Sequence, residues 1–127
     1  MTPLAERLWQ SRRDGGNVVV AEDEIPKTIE EAIAIQRAAI ECSGMPSIGF
    51  KVGSTSAEAQ KVLKTNEPGA SPVLSGFFHT SPATISIVTA HGPAVEGEFA
   101  LRIGEDLPAR DTEYSFEEVF QAIDGVA

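Results

Sequence analysis

The sequence has little of several things, and each shortage narrows what it can be. It holds one cysteine, Cys42, in 127 residues. One thiol cannot form a disulfide framework, which points to a reducing compartment. Cys42 lies near the end of a predicted helix, where it reads as a small buried hydrophobe rather than a reactive thiol. Basic residues are also scarce. Lys and Arg total 10 against 19 Asp and Glu, for a formal net charge of −9. An acidic chain repels a phosphate backbone, and Arg12 and Arg13 form its one adjacent basic pair, so no nucleic-acid partner is expected. No apolar run approaches the about 20 residues of a membrane span. Residues 1–13 lack the basic-then-apolar order of a signal peptide. The expected compartment is cytoplasmic, with no membrane partner. A Gly-rich phosphate loop, a nucleophile elbow and Cys/His zinc spacing are all missing.

Ordinary globular material is present. Hydrophobic residues make up 42% and charged residues 23%, enough for one small domain. Thr2 and Pro3 predict the cap and first turn of a helix that Asp14-Gly15-Gly16 ends. Val18 to Val20 read as a short strand or an extended connector. Thr28-Ile29-Glu30-Glu31 is a capping box, followed by Ile29, Ala32, Ile33, Gln36 and Ile40 at helical spacing. Ser43-Gly44 and Pro46 stop that helix.

After Pro46 the period changes. Ser47 to Gly53 predicts a strand in which Ile48, Phe50 and Val52 alternate with Gly49, Lys51 and Gly53. Thr55-Ser56-Ala57-Glu58 is a second capping box, opening a short helix. Residues 66–72 read as a Gly/Pro-rich loop, with extended segments near 73–79 and 84–88. Residues 94–103 predict another strand, with Val95, Gly97, Phe99, Leu101 and Ile103 on one face and Glu96, Glu98, Ala100 and Arg102 on the other. Ser115-Phe116-Glu117-Glu118 is a third box, and Phe116, Val119, Phe120 and Ile123 form its helical stripe. The expected class is α+β: a helical region over residues 1–46, then a β-rich region over 47–127, within one domain overall.

Two features carry chemistry. Glu96 and Glu98, on one face of a strand, stand roughly 6–7 Å apart at Cα. Two carboxylates that close repel unless a cation sits between them, and a hard dication such as Mg²⁺ or Mn²⁺ prefers oxygen ligands. The plain alternative is a solvated row in which Arg102 pairs with Glu98. Lys51, flanked by glycines, either holds an anionic ligand or is an exposed sheet-edge lysine. His79 and His91 lie in predicted loops and read as surface residues.

Several segments together resemble a known family. Gly49-Phe50-Lys51-Val52-Gly53-Ser54-Thr55-Ser56 is similar to the Gly-x-Lys-[Ile/Val]-Gly-x-Thr-Ser signature of 2-keto-4-pentenoate hydratases and 4-oxalocrotonate decarboxylases, in the fumarylacetoacetate hydrolase superfamily. Val95-Glu96-Gly97-Glu98-Phe99-Ala100-Leu101 resembles that family's metal-binding strand, and Asp106-Leu107-Pro108-Ala109 the turn after it. The N-terminal helices, with Ile35-Gln36 in the second, also fit, so the resemblance covers nearly the whole chain.

The resemblance implies N-terminal helices followed by part of a mixed β-roll, incomplete within these residues. It implies Glu96 and Glu98 as carboxylate ligands of one Mg²⁺ or Mn²⁺. Lys51 would be the catalytic and substrate-binding lysine, with Thr55 and Ser56 beside the substrate. That substrate would be a short 2-keto or 2-hydroxydienoic acid from aromatic-ring breakdown, and the reaction a hydration. An acylpyruvate-type hydrolase, a keto-acid decarboxylase and a non-catalytic assembly subunit or fragment are the alternatives. The family's third acidic ligand lies on a strand beyond the last helix seen here. Where many hydratases carry an acid after a loop proline, Pro68 is followed by Gly69. A half roll leaves strand edges unpaired, so a homo-oligomer or a complementing C-terminal chain is expected.

Overall fold

The computed structural model describes residues 3–127. It is α+β, in two compact units, residues 1–93 and 94–127. In the first unit, helix α1 runs over Leu4–Asp14, α2 over Ile29–Ser43 and α3 over Ala57–Leu63; strands β1 and β2 are Ser47–Gly53 and Gly69–Leu74. In the second, β3 is Leu101–Ile103, α4 Phe116–Gln121 and β4 Ile123–Val126.

The predicted Thr2 cap lies outside the described residues. Pro3 stands one residue before α1 rather than in its first turn, and its carbonyl accepts from the Arg7 amide at 3.2 Å. Gly15 ends α1 at φ 77°, a left-handed conformation that costs a side-chain-bearing residue. Val88 Cγ1 also lies 3.2 Å from where a Gly15 Cβ would stand. A Gly15→Ala change is therefore expected to destabilise the chain by about 1–2 kcal/mol in urea melts. Gly16→Ala, where a Cβ would meet nothing within 4 Å, is the near-neutral control.

Helix α2 packs on α1. Thr28 caps it by accepting from the Glu31 amide at 3.2 Å, but the Glu31 carboxylate accepts from the Lys27 amide at 2.6 Å, one residue before the expected reciprocal donor. Residues 17–21 are a connector, not a strand. Cys42 is exposed, not buried, because the α2 face it occupies is not covered.

Strand β1 has the expected bounds and pairs antiparallel with β2, setting Gly49 opposite Val73, Lys51 opposite Ser71 and Gly53 opposite Gly69. Residues 69–72, expected as loop, thus belong to a strand. Pro72 is compatible with it because each strand of a two-stranded sheet is an edge, where a missing N–H can face outward. The segment 84–88 has no strand partner among the described residues. Helix α3 is capped by Ser56, which accepts from the Ala59 amide at 3.1 Å; the predicted box starting at Thr55 is off by one residue.

In the second unit β3 and β4 pair antiparallel, and Ala100 and Ala127 exchange hydrogen bonds of 2.8 and 2.9 Å. The strand expected over 94–103 is confined to 101–103. A strand needs a partner, and the register that sets Ala127 against Ala100 carries residues 94–99 past the end of β4. Ile123, expected on the last helix, starts β4 instead.

Helix α4 has its full capping box. The Ser115 hydroxyl accepts from the Glu118 amide at 3.3 Å, and the Glu118 carboxylate accepts from the Ser115 amide at 2.7 Å. Arg110 grips the same carboxylate through two bonds of 2.8 and 2.9 Å and lies over the Tyr114 ring. The Arg110 guanidinium, then the Ser115 amide and hydroxyl, hold the Glu118 carboxyl at about 2, below its ordinary 4.5. A depressed acid stabilises the fold above its unfolded value and loses that contribution as pH falls through the folded one. The α4 amide signals of the full chain are therefore expected to weaken between pH 4.5 and about 2, and Glu118→Gln to flatten that dependence in nuclear magnetic resonance spectra.

The core is thin. Ala5, Leu74 and Ala122 are the buried hydrophobics among the described residues, while Phe50 is 70% and Phe99 89% exposed.

Candidate functional site

The sequence-predicted residues fall in both units. In the first, the pairing of β1 with β2 places Lys51. Directly opposed residues of an antiparallel pair point to the same face, with Cβ atoms about 4.5–5.5 Å apart. Lys51 thus shares its face with Ser71, and the flanking pairs on that face are Gly49 with Val73 and Gly53 with Gly69. A Cβ built on Gly49, Gly53 or Gly69 would meet nothing within 4 Å, so the lysine stands over an open, glycine-lined strip. Gln36 of α2 reaches this face, where its Nε2 donates to the Ser71 hydroxyl oxygen at 3.1 Å. Sequence reasoning missed Ser71, which sits in a stretch that reads as loop. The available signal was Gln36, the one polar residue in the α2 stripe.

Thr55 and Ser56 follow β1 directly. The Ser56 oxygen is engaged as the α3 cap, and Ser54 just before it adopts φ 57°, with its carbonyl accepting from Gln60 Nε2 at 2.9 Å. This turn is held by its own hydrogen bonds. Thr55 is exposed on it.

Glu96 and Glu98 lie in the exposed segment 92–100, which leads into β3. Arg102, the pairing candidate for Glu98, donates from Nε to Asp124 Oδ1 on β4 at 2.6 Å. The contact follows from β3–β4 register, which sequence spacing does not show. Among the described residues no three His, Cys, Asp or Glu side chains are grouped to hold a metal ion. The donor chemistry of Glu96 and Glu98, two hard carboxylates, is compatible with Mg²⁺ or Mn²⁺. His91, read as a surface residue, is exposed and also acts as a tether. Its Nε2 lies 2.6 Å from the Gly16 carbonyl oxygen, which can only accept, so Nε2 carries the proton.

Comparison with known proteins gives one direction. The chain is 28% identical over 124 residues to a curated protein of Pseudomonas putida named TodF product hydratase. The match takes in 94% of this chain and 46% of that protein. The relative it resembles is a hydratase, and the chain spans about half its length. No family profile matches the chain, and no solved structure matches it. Among the described residues no helix is long and apolar enough to cross a membrane.

Proposed function

We propose that this chain carries part of a metal-dependent hydratase, a lyase of the fumarylacetoacetate hydrolase superfamily, acting on a short 2-hydroxydienoate or 2-ketoenoate in aromatic breakdown. The observation that carries the reading is the similarity to a hydratase along 94% of the chain. The Gly-x-Lys-Val-Gly strand and the Glu96-x-Glu98 segment supply the residue types such a reaction needs.

The substrate class is acidic, and the chain has a net charge of −9, so binding needs local positive charge. Lys51 provides it on an open strip whose neighbouring glycines let a planar acid approach the strand. An ammonium there draws in the substrate carboxylate and fixes which end of the molecule faces the strand. Thr55 and Ser56 continue the edge of that strip and border the bound acid. Glu96 and Glu98 would hold the Mg²⁺ or Mn²⁺. When bound, the dication supplies Lewis-acid stabilisation of the negative charge that develops on the substrate's C2 oxygen as the dienol becomes a conjugated ketone.

The exposed Phe50, Val95, Phe99 and Phe116 call for a covering polypeptide, which we assign to a second copy of the chain or a complementing C-terminal one. The test is the ultraviolet absorbance of 2-hydroxypenta-2,4-dienoate mixed with the chain, alone and with its C-terminal complement. Decay that needs added Mg²⁺ or Mn²⁺ and stops with chelator is the expected result. No decay in either mixture at any metal concentration contradicts the reading.

A further inference from the structure

Ser71 has a hydroxyl whose direction is set from behind. Gln36 Nε2 donates to its oxygen at 3.1 Å, so one lone pair of that oxygen is occupied. A serine hydroxyl carries a single proton. With Gln36 filling an acceptor position, that proton is turned away from α2. Ser71 is directly opposite Lys51 and on the same face of the sheet. The strip is lined on one side by the Gly49–Val73 pair and on the other by the Gly53–Gly69 pair, with open space above each glycine.

We propose that Ser71 is a second hydrogen-bond donor, beside Lys51, for the carboxylate of a small 2-keto acid, and that Gln36 is the positioning residue that aims its hydroxyl. This rests on the reading of Lys51 as the group that holds the substrate's acid end. A carboxylate has two oxygens, and an ammonium with an adjacent hydroxyl can each engage one. Such a pair fixes the plane of the acid as well as its position, which a lone lysine on a flexible stem does not. The lining glycines then select a flat ligand, since any side chain at those three positions would project over the strip.

Pyruvate, the smallest 2-keto acid, is the probe. Its dissociation constant is read from amide shifts of Lys51 and Ser71 during titration of the full chain, with no turnover required. Ser71→Ala is expected to weaken pyruvate binding about 5- to 10-fold, a loss typical of one hydrogen bond to a charged group. Ser71→Thr, which keeps the hydroxyl, is expected to stay within about twofold. Gln36→Leu should weaken binding about threefold while the Ser71 amide still shifts on titration. A purely structural Gln36–Ser71 contact would instead lower the melting temperature of these variants and leave the pyruvate constant unchanged. Parent-like binding by Ser71→Ala, with binding lost in Lys51→Met, overturns the proposal and leaves the reading of Lys51 standing. Absence of any shift in the parent chain overturns both.

Discussion

Replacing Glu96 or Glu98 with glutamine is expected to lower the affinity for Mg²⁺ and Mn²⁺ on the order of 100-fold, about 2.7 kcal/mol, and replacing both to remove measurable binding, if the proposed metal site is right. Glutamine keeps the length and an oxygen donor but removes the charge, so the loss reports the electrostatic part of the ligand. Isothermal titration calorimetry of the parent and the three variants measures it. Both side chains are exposed, and the melting temperature of each variant is measured beside its affinity as the control for folding. Unchanged affinity in the double variant would return the two acids to a solvated row.

The second large effect is at Lys51. Lys51→Met keeps most of the aliphatic stem and removes the ammonium. The residue is exposed on a strand whose pairing runs through the backbone, and the melting temperature is measured beside the kinetics to separate stability from binding. With the metal-loaded and complemented protein, kcat/KM for a dienoate substrate is expected to fall on the order of 100-fold, mostly through KM. An ammonium that holds the carboxylate acts on ground state and transition state alike, which is why KM takes the loss. Steady-state kinetics over a range of substrate concentrations separates the two parameters. A fall in kcat at constant KM would move Lys51 from holding the acid end to acting on the reacting atoms.

What could be read from the sequence follows the range of the forces involved. Strand β1 was legible to its bounds because alternation and flanking glycines are local signals. Helix α2 and the Gly15 stop were legible for the same reason, since caps act within one turn. Strand β2 was not. Gly69, Ser71 and Pro72 favour loops on their own, and only pairing with β1 makes a strand of them. The opposite error occurred over residues 94–99, whose alternation is perfect but whose ladder partner is lacking among the described residues. Alternation states which side a residue would face on a strand; it does not provide the neighbouring chain.

The candidate site divides in the same way. Lys51, Glu96 and Glu98 stood out by residue type and spacing. Ser71 became visible only through register, and the Arg102–Asp124 and His91–Gly16 contacts join residues 22 and 75 positions apart. Thr55 and Ser56 shared one capping signature, yet the cap itself falls on Ser56, because choosing between adjacent hydroxyls depends on where the chain leaves β1. The α+β class and the candidate residues were local information; the contacts that these elements make were not.

The most direct test uses Mn²⁺ as a paramagnetic probe. A substoichiometric amount added to the isotope-labelled chain broadens amide signals within a short radius of the bound ion. The account predicts selective loss of the Glu96, Gly97 and Glu98 amides, abolished by the double glutamine variant. Broadening confined to other acidic stretches, such as residues 22–24 and 30–31, with the 96–98 signals intact, would contradict it.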